Sequence, residues 1–405
     1  MKQIICCWFL VFFVALQLPA QRIQPAAERF STYLNLLKGK RVAIFANQTT
    51  VVFDRTHLVD TLTHQGIHIT KIFAPEHGFR GTADAGENVD NSVDPATGIK
   101  IISLYGKNRK ASLADLADVD ILVFDIQDVG CRFYTYISSL EEFMESAIRA
   151  KIPLVILDRP NPNGFYVDGP VLEKPFRSFV GMQPVPVVYG MTIGEYGKML
   201  LGEKWLDSSL THAMRNFKLT VIPCGNYTHK SLYTLPVKPS PNLPDMSAIY
   251  WYPSTCFFEG TALSEGRGTD HPFQIFGHPS LPKTFFSFTP VSREGAKDPK
   301  LKDQLCYGWN LSTSNEAAAK AVQPRIQLKY LLNAYELFPQ KDSFFLGKQG
   351  ATPSGYFFNK LSGNATLMAQ IKSGLPEVDI RKSWQPALTR FKAIRKKYLC
   401  YPDFE

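Results

Sequence analysis

The side chains with chemical potential come in clusters, and each cluster follows a short apolar run. Residues 69–73 lead into Pro75-Glu76-His77-Gly78-Phe79-Arg80-Gly81, and residues 121–124 into Asp125-Ile126-Gln127-Asp128-Val129-Gly130-Cys131-Arg132. Residues 154–157 lead into Asp158-Arg159-Pro160-Asn161-Pro162-Asn163-Gly164, residues 42–45 into Asn47-Gln48-Thr49, and residues 101–104 into Tyr105-Gly106. A glutamate such as Glu76, just past a strand and beside glycines and Arg80, is placed to act as a general acid whose pKa burial raises. The plainer reading makes it a turn carboxylate bonded to backbone amides or paired with Arg80. Asp125 and Asp128 flank Gln127, where an aspartate serves as second acid, base, anchor for ligand hydroxyls or metal ligand. A further cluster, Glu259-Gly260-Thr261-Ala262-Leu263-Ser264-Glu265-Gly266-Arg267-Gly268-Thr269, interleaves charge with small residues that let a backbone pass close to a ligand. Glu265 and Arg267 either close a crevice from the opposite side or simply pair with each other.

These clusters need a frame. Helix-like stretches at 56–65, 113–116 and 140–150 separate the five runs, so the runs read as parallel strands of an α/β sheet. Ligands of such sheets sit outside the carboxyl ends of the strands, where all five clusters converge. Thr192 with Glu195 three residues on forms a capping-box pattern for a helix over 192–201. Residues 219–223 read as one more buried strand, and the proline-rich stretch 158–190 as a long connection over the surface. At 405 residues the chain suggests two domains. The first spans 21–225, and the second, 226–405, is smaller and mixed, with helices at 327–337 and 384–398. The basic stretch 390–397 reads as the solvated face of that last helix.

Composition removes several classes. The net charge of +9 is spread along the chain without a recognised nucleic-acid motif, so no nucleic-acid role is expected. The loop 47–54 has no glycine where a dinucleotide fold needs the backbone to approach the pyrophosphate, which argues against NAD or FAD and leaves no cofactor implied. Phosphate-loop, serine-elbow and zincin motifs are missing, and no His or Cys cluster has metal-ligand spacing. Residues 1–20 have a lysine start, an apolar run at 4–16 and Leu18-Pro19-Ala20, as a secretory leader cleaved near Ala20 does. The run is short for a membrane span, and the protein is expected to be secreted or periplasmic. Cys131, Cys224, Cys256, Cys306 and Cys400 remain, an odd set read as free thiols. His212, His229 and His278 read as structural, and the aromatics as core, except Tyr134 beside a strand end.

Taken together, the Glu76, Asp125–Tyr136, Asp158–Pro162 and Glu259–Thr269 motifs resemble the exo-β-N-acetylmuramidases of the NamZ type, glycoside hydrolase family 171, over residues 39–401. The resemblance implies a Rossmann-like domain joined to a smaller mixed α+β domain, with the active site in the cleft between them. It implies release of N-acetylmuramic acid from the non-reducing end of peptidoglycan fragments without a nucleotide cofactor. Glu76 matches the family's presumed catalytic acid; Ala262 departs from the more usual asparagine. The expected site comprises Glu76, Asp128 and Glu265 as catalytic groups, with Asn47, His77, Arg80, Asp125, Gln127, Arg132, Tyr134, Arg159, Asn161 and Arg267 around the substrate. Arg80, Arg132, Arg159 and Arg267 are candidates to grip the lactyl carboxylate of muramic acid, with Arg132 or Arg267 favoured. Two other classes remain: a metal-dependent phosphohydrolase using Asp125 and Asp128, and a non-catalytic muropeptide-binding protein.

Overall fold

Short runs of Val, Ile, Leu and Phe flanked by turn residues favour strands buried on both faces, and twelve strands form among the described residues. They are β1 (Val42–Ala46), β2 (Val51–Val52), β3 (Thr56–His57), β4 (Ile69–Ala74), β5 (Ser92–Val93), β6 (Lys100–Ser103), β7 (Ile121–Asp125), β8 (Leu154–Leu157), β9 (Leu219–Ile222), β10 (Ile275–His278), β11 (Phe286–Phe288) and β12 (Cys306–Asn310). The computed structural model describes residues 21–405 apart from Asp54, His77, 81–90 and Gln349, so the proposed leader and His77 lie outside the described residues.

The main sheet runs β5-β6-β4-β1-β7-β8-β9, with β5 antiparallel and every other pairing parallel. Without the β5 edge this is the doubly wound order 3-2-1-4-5-6, whose direction of winding reverses between β1 and β7. The register pairs Ala46 with Asp125, so Asn47 and Ile126 leave the sheet side by side at that reversal. Every residue of β1, β7 and β8 is buried, as expected of strands covered on both faces. Phe45 stacks on Phe124 at 5.0 Å between ring centroids, and Phe143 from the helix Tyr136–Ala150 packs 5.0 Å from Phe45, fixing that helix to the sheet.

The second, smaller part carries an antiparallel sheet, β10-β12-β11, and a set of helices ending in Glu377–Arg395. Phe45 and Phe124 of the first part share one continuous apolar cluster with Phe276 and Leu388 of the second. The Thr192 capping box closes around the start of the helix Ile193–Gly202 as its sequence predicts. The terminal helix begins seven residues earlier than its apolar pattern, because Glu377 and Asp379 in the first turn complement the helix dipole.

Two surface expectations fail for one reason. The segment 158–190 runs largely through the interior, with Val185, Val187, Val188 and Tyr189 fully buried. Its six prolines carry no N–H to satisfy, and buried guanidinium groups meet carbonyls that would otherwise be orphaned. Arg395, expected on a solvated face, is one of them: it donates to the Gly190 carbonyl at 2.7 and 2.9 Å and pairs with Asp403 at 2.7 Å. All five cysteines of the described chain are free, four of them buried. Among the described residues no helix is long and apolar enough to cross a membrane.

Candidate active site

The loops leaving β1 and β7 build a buried polar layer at the winding reversal. Asn47 accepts from the Thr49 amide and hydroxyl at 2.9 and 2.6 Å, and its Nδ2 donates to the Tyr136 hydroxyl at 2.8 Å. The small β2–β3 ribbon thus occupies the place where a glycine-rich loop would admit a pyrophosphate. Asp125 accepts from Arg159 Nε at 2.6 Å and Nη2 at 2.8 Å, with both side chains buried. Gln127 Nε2 donates to the Asp128 and Pro160 carbonyls, each at 2.7 Å, and Asn161 Nδ2 to the Met191 carbonyl at 2.7 Å. Arg132 is fully buried and donates to the carbonyls of Pro170, Val185 and Leu361 at 2.6–2.9 Å. Asp128 accepts from the Tyr189 hydroxyl and from the Gly130 amide, while its Oδ1 has no partner among the described residues. Burial pushes this carboxyl up to about 7 against those two bonds.

Outside this layer lies a cavity of about 270 Å³. Its first-part wall carries Glu76 past β4, Tyr105 and Arg109 past β6, Tyr134 and Tyr136 past β7, and Phe179; the second part supplies Tyr252, Glu259, Arg267 and Phe273. The Tyr105 hydroxyl donates to Glu76 Oε1 at 2.7 Å. Burial and the neighbouring Glu76 charge push the Tyr136 hydroxyl well above its ordinary pKa. The aromatic floor is a chain of edge contacts, Tyr136 to Tyr134 at 4.9 Å, Tyr134 to Tyr252 at 6.0 Å and Tyr252 to Phe273 at 4.8 Å. Tyr134 donates to the Pro239 carbonyl at 2.7 Å and Gln48 to the same atom at 3.1 Å, tying the two walls together.

On the far wall Arg267 pairs with Glu259 at 2.7 and 3.2 Å, lies 3.5 Å from Glu265, and sits 5.0 Å over the Phe273 ring. Lys300 clamps the loop behind it, donating to the carbonyls of Phe258, Thr261 and Leu263 at 2.7–2.9 Å and pairing with Glu265 at 3.0 Å. Burial alone would raise the Glu265 carboxyl, but Lys300 and Arg267 hold it below its ordinary value.

Of the residues expected from sequence, Glu76, Tyr134 and Arg267 reach the cavity wall. Asn47, Asp125, Gln127, Asp128, Arg159 and Asn161 lie in the layer beneath, where they shape the strand ends. Arg132 is interior, a correction to its expected role: three carbonyls from the proline-rich connection and a distant helix take both its terminal nitrogens, and it lines no part of the cavity. Arg80 is held by Asp94 at 3.0 Å through two oxygens, away from the wall. Glu265 sits behind the wall with Lys300, and Glu259 takes the place on the wall instead. Tyr105, Arg109 and Phe179 are new members. Tyr105 could have been found, since it ends an apolar run as Glu76 does; Arg109 and Phe179 carry no local signal. Among the described residues no three His, Cys, Asp or Glu side chains gather to hold a metal ion.

Comparison with known proteins gives consistent matches. Residues 42–247 match the family described as exo-β-N-acetylmuramidase NamZ, N-terminal, and residues 250–401 its C-terminal counterpart. The peptidoglycan β-N-acetylmuramidase NamZ of Bacillus subtilis (strain 168) is 37% identical over 386 residues, covering 91% of this chain and 89% of that protein. Two crystal structures of DUF1343 family proteins from Bacteroides fragilis NCTC 9343 share the fold. One is 44% identical with a TM-score of 0.83, covering 95% of this chain and all of that one. The other is 26% identical with a TM-score of 0.76, covering 94% of this chain and 99% of its own.

Proposed function

The chain belongs to the NamZ family of exo-β-N-acetylmuramidases, and on that premise we propose that it hydrolyses peptidoglycan fragments, releasing N-acetylmuramic acid from their non-reducing ends. The observation that carries this reading is Glu76, a strand-end carboxylate on the wall of a small cavity, held by the Tyr105 hydroxyl. The cavity is just under the ~300–1,000 Å³ of ordinary small-ligand sites, a size for one terminal sugar rather than a chain threaded through a groove.

Glycoside hydrolysis uses two carboxyl groups. Glu76 protonates the leaving glycosidic oxygen as the bond to the anomeric carbon breaks. Glu259, ion-paired with Arg267, is the other carboxylate on the described wall and faces the positive charge that develops on the sugar. Asp128 is poorly suited to that second role, because burial raises its carboxyl to about 7 and it lies beneath the wall. The phosphohydrolase alternative is disfavoured because both oxygens of Asp125 are taken by Arg159. Export is part of the proposal: the leader pattern of residues 1–20 would deliver the enzyme to the compartment where its substrate is found.

An aryl β-N-acetylmuramide assayed beside the matching glucosaminide tests the reading, with release expected from the muramide. If neither sugar is cleaved while calorimetry records muropeptide binding, the protein is a binding module. Mass measurement of protein recovered from the native host should give a chain starting at Gln21; an intact Met1 terminus would refute export by cleavage.

A further inference from the structure

Two cationic side chains line the cavity among the described residues, Arg109 and Arg267. Arg267 is committed to Glu259, with Glu265 close behind. Arg109 differs. Its guanidinium lies 3.9 Å over the Phe179 ring, and its Nε is buried with no hydrogen-bond partner among the described residues. Stacking fixes the plane of the guanidinium and leaves its edge, with parallel N–H donors, to meet a planar two-oxygen acceptor.

The loop that carries Arg109 is anchored at both ends. Tyr105 on one side is hydrogen-bonded to Glu76, and Lys110 on the other pairs with Glu145 at 2.6 Å and Glu142 at 3.0 Å. A capping box at Ser112 and Asp115 then starts the next helix. One anchored loop thus connects the carboxylate proposed to act as acid with a positive charge that lacks a carboxylate partner among the described residues.

We infer that Arg109 reads the lactyl carboxylate of the sugar and is the residue that distinguishes N-acetylmuramic acid from N-acetylglucosamine. This rests on the muramidase reading above. The two sugars share ring and acetamido group and differ by the lactyl ether with its single negative charge. Arg132 and Arg159 lie in the interior, off the cavity wall, Arg80 is held by Asp94 and Arg267 by Glu259, which leaves Arg109 to meet that charge.

The test compares kcat/KM for an aryl β-N-acetylmuramide and for its lactamide, in which a neutral amide replaces the carboxylate at nearly the same shape. The wild-type enzyme should favour the acid by about 10–100-fold, the worth of a charge-assisted hydrogen bond. Arg109→Gln should bring that ratio close to one, chiefly through a higher KM for the acid, and Arg109→Lys should restore part of it. Phe179→Leu, which removes the stacking surface and keeps the guanidinium, should narrow the ratio to a smaller extent. A ratio preserved in Arg109→Gln, or one that collapses in Arg267→Gln instead, overturns the inference. So does an equal loss on both substrates, which would mean a role in folding or chemistry rather than charge recognition. Failure of the wild-type enzyme to cleave either compound would instead sink the glycosidase reading itself.

Discussion

Arg132 and Arg109 are the same residue type in adjoining regions, and their surroundings are opposite. Arg132, in the interior, spends both terminal nitrogens on three backbone carbonyls, and Arg159, in the layer beneath the cavity, closes on both oxygens of Asp125. Arg109, on the cavity wall, stacks on an aromatic ring, and no carbonyl or carboxylate accepts from it among the described residues. In the layer beneath, the Arg159–Asp125 pair is charge closed on itself. A buried ion pair of that kind is costly to break and says little about ligands. On the wall, Arg109 meets an aromatic ring in place of an acceptor, and such a cation beside a cavity marks a place where something else binds.

The largest effect that separates the regions is expected at Glu76. Glu76→Gln keeps the shape but cannot deliver a proton, and turnover on a substrate with a poor leaving group should fall by about 10²–10⁴-fold. The melting temperature should stay near that of wild type; retention of more than a tenth of the activity would remove Glu76 from the acid role.

Arg159→Met should act in the opposite sense. It leaves Asp125 buried without its cation, and denaturant unfolding should show a loss of roughly 3–5 kcal/mol. A fully stable Arg159→Met that has lost activity would break the distinction between the two regions, because it would move Arg159 into the chemistry.

Tyr105→Phe tests how the wall orients its carboxylate. Loss of a hydrogen bond to a charged group is worth about 1.5–3 kcal/mol, so kcat should drop at least tenfold while KM and the melting temperature stay near those of wild type. An unchanged kcat would make the tyrosine a packing residue.

A further effect is a pH dependence in the layer beneath. The Asp128 carboxyl rises from 3.8 to about 7 on folding, so the folded chain holds that proton more tightly than the unfolded chain. Its contribution to stability is complete below about 4 and is lost as pH rises through about 7. Asp128→Asn should flatten the decline in melting temperature across that window. A steeper decline in the variant would mean that Asp128 is ionised in the folded protein.

Much of the fold was legible from local pattern. The apolar runs became β1, β4, β6, β7 and β8 to within one residue at either end, because a strand covered on both faces needs an unbroken apolar run. Placing Glu76 at the site needed only the strand before it and the rule that ligands gather at strand carboxyl ends. The capping residues Thr192 and Glu195 act within one helical turn and so could be read directly.

What the sequence by itself determined is therefore the set of interactions that close over a few residues: strand, cap, turn and the carboxylate that follows a strand. Only the tertiary structure decided which charges are spent. Arg132 meets Leu361 across 229 positions, Arg381 meets Asp168 across 213, and Arg395 meets Gly190 across 205. Sequence spacing carries no trace of such pairings, since they depend on how the second part packs over the proline-rich connection. The same packing buried Arg132, drew Glu265 toward Lys300, set Glu259 on the wall and left Arg109 facing the cavity. A guanidinium becomes structural or functional according to which acceptors the fold brings within about 3 Å of it, and that is settled only once distant segments meet.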